Sequence, residues 1–205
     1  MDRPALRPRL VVQVVRVVAG SVRGRRISAP PGTDTRPTTD RVREAMFNAL
    51  GSLGAVDGAV VADLFAGSGA LGIEALSRGA ASAHFVESDR RAVAVIEENL
   101  STLGLDDRGV VLRRPVEVAL DDLPVPLDLV LADPPYAFDG WAALLADLAT
   151  RLAGDGLVVI ESGRAVALPP GWERVRERTY GGTVVLFARP EPPATGAPDP
   201  TGAHP

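Results

Sequence analysis

The sequence of 205 residues predicts an α/β fold built around a mostly parallel sheet. Three observations predict it. From residue 59 onward, short β-branched runs alternate with amphipathic helical stretches. The first of those strands ends in a glycine-rich turn that opens a helix. The last two strand-like runs, 173–179 and 183–188, flank Gly181 and Gly182 and predict an antiparallel C-terminal hairpin.

The elements follow in order. Residues 1–9 are rich in Pro and Arg and predict a flexible N-terminus. Residues 10–19 are Val-rich, Gly20 breaks the run, and 22–28 return as a second strand, giving a small N-terminal β-hairpin. A loop over 29–37 carries Pro30, Pro31, Gly32 and Pro37. Thr38 or Thr39 can cap a helix whose Val42, Ala45, Met46, Ala49, Leu50 and Leu53 share one face. Further strands are expected at 59–65, 82–87, 109–113, 127–132 and 157–161. Helices are expected at 71–78, 90–103 and 141–152. Strand–helix–strand units of this kind connect by right-handed crossovers. The organisation expected is therefore a basic hairpin-and-helix extension over 10–53 and an α/β domain over 54–189. A disordered tail should follow over 190–205, where large apolar residues are almost absent.

Composition narrows the function classes. There is no cysteine, and the two histidines are His84 and His204, so neither a disulfide framework nor a zinc site is expected. No apolar run reaches the roughly 18 residues of a membrane span. A soluble, cytoplasmic, monomeric protein is the expectation. The net charge of −4 conceals an asymmetry: residues 1–50 hold ten arginines against four acids, so the remainder is strongly acidic. Lysine is absent, which biased codon usage explains, but codon usage does not explain the clustering. A basic segment on an acidic domain fits local contact with phosphate. Arg90, Arg91, Arg113 and Arg114 read equally well as RNA contacts or solvated surface.

Gly67, Gly69 and Gly72 spell G-x-G-x-x-G between the first strand of the alternating series and its helix. Such glycines permit a tight turn and close approach of a ligand to the backbone. Glu87 ends the next strand, where a carboxylate can accept hydrogen bonds from both ribose hydroxyls of a nucleoside. Those features serve NAD and S-adenosylmethionine alike. Asp63, four residues before Gly67, favours the second. It can hold a methionine ammonium, whereas a buried acid would repel the pyrophosphate of NAD. Phe65, Ser68 and Ser88 flank these positions and are counted with the cofactor site. Asp89 reads equally as a cofactor contact or a helix cap. Phe65, Trp141 and Trp172 are aromatic, but packing explains them better than base stacking.

Asp133-Pro134-Pro135-Tyr136 follows the fourth strand of the series. The lone pair of a nucleobase amino nitrogen delocalises into its ring, so the nitrogen is a poor nucleophile. The Asp133 carboxylate and the Pro134 carbonyl can accept its two hydrogens and aim the lone pair at a donor methyl. Pro134 and Pro135 fix the backbone that holds these acceptors. Tyr136 can stack on an unstacked base. Either Asp133 or water can take the proton after transfer.

The residues 63–72, Glu87 and 133–136 resemble the donor-binding and catalytic motifs of class I amino-methyltransferases. The runs Arg16-Val-Val-Ala-Gly20, Arg23-Gly24-Arg25 and 36–44 (RPTTDRVRE) resemble the N-terminal segment of the ribosomal small-subunit methyltransferase D family. The likeness covers roughly 16–189. It implies a Rossmann-like class I sheet and S-adenosylmethionine as cofactor. It implies transfer to the N2 amino group of a guanine in 16S ribosomal RNA, within a partly assembled small subunit. It implies that Thr38 closes over the donor, that Phe47 and Asn48 lie beside it, and that Arg23, Arg25, Arg26, Arg36 and Arg41 approach RNA. One departure stands out. Such enzymes often carry an acid after the third strand to bind the donor adenine. Here the stretch reads Arg113-Arg114-Pro115-Val116-Glu117, leaving Glu117 or backbone groups for that task. The alternatives are an amino-methyltransferase acting on DNA adenine or another RNA, a NAD-dependent oxidoreductase, and a non-catalytic RNA-binding protein.

Overall fold

The run VVADL of β3 (Val60–Leu64) has four consecutive buried residues, as a strand covered on both faces requires. In the computed structural model, which describes residues 15–30 and 40–192, β3 is an interior strand of a seven-stranded sheet, third from one edge. The other strands are β4 (Ser82–Val86), β5 (Gly109–Leu112), β6 (Leu127–Ala132), β7 (Leu152–Ser162), β8 (Trp172–Tyr180) and β9 (Thr183–Pro190). Their order is β5-β4-β3-β6-β7-β9-β8. The first five strands are parallel, and β9 and β8 add antiparallel. The chain runs outward from β3 to β5, then returns to β6 on the other side of β3. That reversal opens a crevice at the carboxyl ends of β3 and β6.

Helices cover both faces. With the inward residues of the strands, α1 (Asp40–Ser52), α2 (Ala70–Ser77) and α3 (Arg90–Leu103) form one core around Phe47, Phe85, Ile96 and Leu131. The opposite core is built by α4 (Val116–Ala119), the 3₁₀ turn after it and α5 (Trp141–Ala149) around Leu64, Val130, Leu145 and Ile160. Trp141 and Trp172 are buried in this second core, as packing residues. Each buried aliphatic or aromatic side chain contributes roughly 1.5–3 kcal/mol by leaving water.

Several boundaries differ from the expectation. Among the described residues the N-terminal hairpin shrinks to β1 (Val15–Arg16) paired with β2 (Arg26–Ile27). The residues between them form turns that dock on helices instead. Leu53 is 45% exposed, because α1 stops before it can join the buried face. α5 ends at Ala149, and β7 already begins at Leu152, which pairs with Leu127. Periodicity could not place α4, whose four residues are too short to show it.

The extension shares the first core: Val15, Val17, Ile27, Val42 and Met46 pack with the sheet. Glu74, fully buried in α2, organises this contact. Its carboxylate accepts from the N–H groups of Val18 (2.8 Å) and Ala19 (3.0 Å) and from Arg78 Nε (2.7 Å). Arg43 of α1, also fully buried, brings its Nε to 3.6 Å from the same carboxylate. Arg43 further donates to Asp40 (2.8 Å) and to the Arg16 carbonyl. At the far end of α2, Ser77 Oγ donates to the Ala19 carbonyl (2.6 Å) and accepts from Val22 N–H (3.2 Å). A Cβ on Gly20 would lie 1.8 Å from the Ser77 carbonyl oxygen, so only glycine allows this approach. Arg43 is level with Glu74, and Asn48 meets Arg78 (3.3 Å), so α1 runs beside α2 in the same direction.

Removing one partner of a buried ion pair strands the other charge in a poorly solvating site. Glu74→Ala is therefore expected to destabilise the fold by about 3–5 kcal/mol, read as a drop in the urea midpoint. A loss below about 1 kcal/mol would show that the extension is not held by this carboxylate.

Candidate active site

The alternation of β3 sends Val61 and Asp63 to the α1–α2 face of the sheet and Ala62 and Leu64 to the other. Asp63 is consequently buried at the end of the strand, 1% exposed, and its Oδ2 accepts from Gly72 N–H in the first turn of α2 (2.8 Å). Burial pushes its carboxyl well above the usual carboxylate range. The Gly72 hydrogen bond opposes that shift, and the nearby negative charges of Asp133 and Glu87 add to it. Three acids from three strand ends thus converge on one spot. The glycine turn and the Asp-Pro-Pro-Tyr turn share the carboxyl edge, as expected of them.

Phe65 follows with φ 59°, a left-handed conformation that side chains seldom adopt. It turns the chain out of β3 and across to the other face, where its ring meets Phe138 edge-on at 5.1 Å. Phe138 in turn meets Trp141 at 5.0 Å, so the glycine turn and the loop after β6 are braced by one aromatic chain. Gly69, with φ 77°, caps α2. A Cβ on Gly72 would meet the Phe85 ring at 2.3 Å, so this glycine lets α2 lie against β4. Ser68, partly exposed, offers its carbonyl to Asn99 Nδ2 (3.0 Å). Asn99 also bonds both backbone groups of Ser28, tying the extension to the glycine turn.

Glu87, just past β4, accepts from Gly67 N–H (2.8 Å) and Asp89 N–H (2.8 Å). Its carboxylate is thereby held at the rim of the crevice beside the exposed Ser88. Asp89 caps α3, accepting from Arg91 N–H (2.6 Å) and Ala92 N–H (3.0 Å). Those bonds hold its carboxyl below the usual range. Beyond β5, Arg113, Arg114 and Glu117 are exposed, and Arg114 pairs with Asp122 (3.2 Å).

Asp133 continues the alternation of Leu129 and Leu131 and is half-buried, with Pro134. Pro135 is exposed, and its carbonyl accepts from Phe138 N–H (2.8 Å), closing a tight turn. Tyr136 stands 80% exposed and leans over Gly163, where an added Cβ would lie 2.4 Å from its ring. An exposed aromatic at the mouth of a charged crevice is positioned to stack on a planar ligand.

The remaining expected residues separate. Thr38 and Arg36 lie outside the described residues. Arg41 is exposed in the first turn of α1, at the level of the crevice. Arg26 is exposed on β2. Arg25 donates to the Thr102 carbonyl at the end of α3 (2.7 Å), and Arg23 is exposed beside the turn that rests on Ser77. These two arginines therefore stand near the ends of α2 and α3, away from Asp133. Phe47 and Asn48 do not lie beside the glycine turn. Phe47 is buried under Arg78, 5.3 Å from its ring, at the opposite end of α2. Sequence reasoning passed over Glu74, Asn99 and Glu161. Each interrupts an apolar stripe: Glu74 in α2, Asn99 on the buried face of α3, Glu161 at the buried end of β7. A polar residue at an apolar position signals a buried partner.

An open sheet in this order, with a glycine turn, an acidic rim and an Asp-Pro-Pro-Tyr turn at its reversal point, defines a class I methyltransferase. The family model described as Conserved hypothetical protein 95 matches residues 15–189, and the chain belongs to that family. It is 42% identical over 181 residues to a putative rRNA methyltransferase, YlbH, of Bacillus subtilis, covering 84% of this chain and 97% of that protein. It is 37% identical over 173 residues to ribosomal RNA small subunit methyltransferase D of Escherichia coli, covering 82% and 85%. Among solved structures, a putative methyltransferase of Escherichia coli, yhhF, superposes with a TM-score of 0.77 at 34% identity, covering 87% of this chain and 99% of that one.

The buried acid gives a pH test. Below about pH 3.8, the ordinary value for Asp63, the group is protonated in both folded and unfolded chains and costs nothing. As pH rises, the unfolded chain ionises first, so stability falls until the raised folded value is passed. Asp63→Asn keeps an acceptor for Gly72 and removes the charge. It is expected to unfold at a higher urea concentration than the natural chain at pH 7, with the gap closing as pH falls toward 3.8. A pH-independent gap would refute burial as the cause.

Proposed function

We propose that the chain transfers a methyl group from S-adenosylmethionine to the exocyclic N2 amino group of a guanine in 16S ribosomal RNA, in a partly assembled small subunit. The observation that carries the proposal is the convergence of Asp63 and Asp133, two acids with different tasks, at one crevice beneath an exposed Tyr136. The relatives' names, ribosomal RNA small subunit methyltransferase among them, support the substrate.

Asp63 would hold the donor's ammonium, and Glu87 its ribose hydroxyls, with Phe65, Gly67, Ser68, Gly69 and Ser88 forming the walls and Thr38 a cover. The raised pKa of Asp63 fits a cationic ligand: an arriving positive charge favours the ionised form and displaces a proton. Donor binding is then tighter as pH rises through the carboxyl's titration. When bound, the donor supplies an electrophilic methyl on a sulfonium.

The rest falls to the chain's own groups. Tyr136 would stack on the flipped guanine. The Asp133 carboxylate and Pro134 carbonyl would accept the two amino hydrogens and turn the nitrogen lone pair toward the methyl. The two prolines and the turn closed by Pro135 and Phe138 restrict the backbone of this loop, so little reorganisation of the acceptors would be needed during transfer. Positive charge developing on nitrogen is stabilised by Asp133. Arg26, Arg36 and Arg41 would neutralise phosphates near the target, and Arg23 and Arg25 phosphates farther away.

The test is methyl transfer to small subunits from cells lacking the protein, with duplex DNA as the competing acceptor. Asp133→Ala should lower kcat by about 10²-fold or more, as expected for loss of a group that stabilises developing charge, with donor affinity nearly unchanged. Undiminished turnover, or transfer to DNA alone, would reject the proposal. Tyr136→Ala should weaken use of the RNA by about five- to a hundredfold, the worth of one stacked base, while Tyr136→Phe stays near the natural rate.

A further inference from the structure

A second feature lies at the β8 edge of the sheet and has no part in the chemistry proposed above. A groove of about 260 Å³ separates α1 from β8, the edge strand of the sheet. Ala45, Ala49 and Ser52 form one wall, and Arg176, Arg178 and Tyr180 the other. The small residues of α1 leave the groove open. Register explains the arginines: Arg176 pairs with Phe187 and Arg178 with Val185, both of which face the α1 side of the sheet. Arg174 precedes a register shift, pairs with Ala188 of the opposite core and is neutralised by Glu177 (2.7 Å).

Neither Arg176 nor Arg178 forms an ion pair among the described residues; Arg178 donates only to the Glu177 carbonyl (2.9 Å). Of the nearby acids, Asp40 is bound to Arg43 and Glu173 to Arg189. Glu44, one turn before Asn48 on α1, is exposed at the margin of the groove and forms no ion pair among the described residues. Arg41 heads the stripe formed by residues 41, 45, 48 and 52. β8 runs parallel to β7, so Tyr180 and the turn after it stand at the carboxyl edge with Asp133. The groove therefore opens toward the carboxyl edge, three strands along from β6, with Arg41 on the helix above it and Arg178 and Arg176 below.

We infer that this groove binds the phosphate backbone of the RNA flanking the target nucleotide, with Arg176 and Arg178 as the phosphate contacts. The inference rests on the RNA reading given above. Two guanidiniums without an ion pair in one groove, on the part of the chain that is acidic overall, supply the charge complementarity, and their spacing of two residues along a strand follows an extended backbone. Contacts of this kind set position and affinity rather than base choice.

The test compares Arg176→Gln/Arg178→Gln with Arg174→Gln, a change of charge on the other face of the same strand. The acceptors are unmethylated small subunits and protein-free 16S rRNA transcript. The double variant should raise KM for subunits about tenfold and reduce the slope of log affinity for the transcript against log salt by roughly two, one per arginine. Its kcat and its affinity for S-adenosylmethionine should stay within about twofold, and Arg174→Gln should match the natural chain in all four measurements. An unchanged salt slope overturns the inference; if KM for subunits still rises, the groove meets a ribosomal protein instead. If the natural chain methylates neither acceptor, the function proposed above fails before the groove is tested.

Discussion

A carboxylate held out of water at the end of an interior strand shapes the active edge of this molecule. Asp63 is buried because β3 is an interior strand covered on both faces. Glu87 and Asp133 lie close enough to raise its pKa further. An acid in that setting is costly to ionise without a partner. The cost is tolerable where a cation completes the site, and the ammonium of the proposed donor would supply one. The positive φ of Phe65 and the close contact of Gly72 with Phe85 are local consequences of turning the chain tightly around the same point.

A second carboxylate does the corresponding work at the back of the molecule. Glu74 gathers the N-terminal extension, α1 and the end of α2 around one buried charge. It holds α1 alongside α2, which puts Arg41 at the end of α1 nearer the carboxyl edge. Asn99 fastens the other side of the extension to the glycine turn. Because these bonds join distant segments, the extension is part of the catalytic body's packing rather than an arm laid upon it. Its basic residues are distributed accordingly: Arg43 is consumed in the interior, Arg25 is tied to α3, and Arg23, Arg26 and Arg41 remain on the surface.

The sheet, the glycine turn and the Asp-Pro-Pro-Tyr turn were legible because each depends on local chemistry. Short, nearly continuous apolar runs mark β3 to β6, and prolines and glycines mark the turns. The boundaries of α5 and β7 were less legible. Leu152 and Gly156 are placed by pairing and close packing with Leu127 rather than by their own preferences. Phe47 was misplaced for a similar reason. Its position on α1 was clear, but its neighbour, Arg78, depends on how α1 packs against α2.

By itself, then, the sequence determined the succession of strands and helices, the two turns, and the acids able to serve at them, since periodicity and turn chemistry act over a few residues. Only the tertiary structure decided which charges meet. Strand order brought Asp63, Glu87 and Asp133 to one rim. Helix packing hid Arg43 and Glu74 and left Arg176 and Arg178 facing an open groove. Charge interactions depend on distance and burial in space, and neither can be read from separation along a chain.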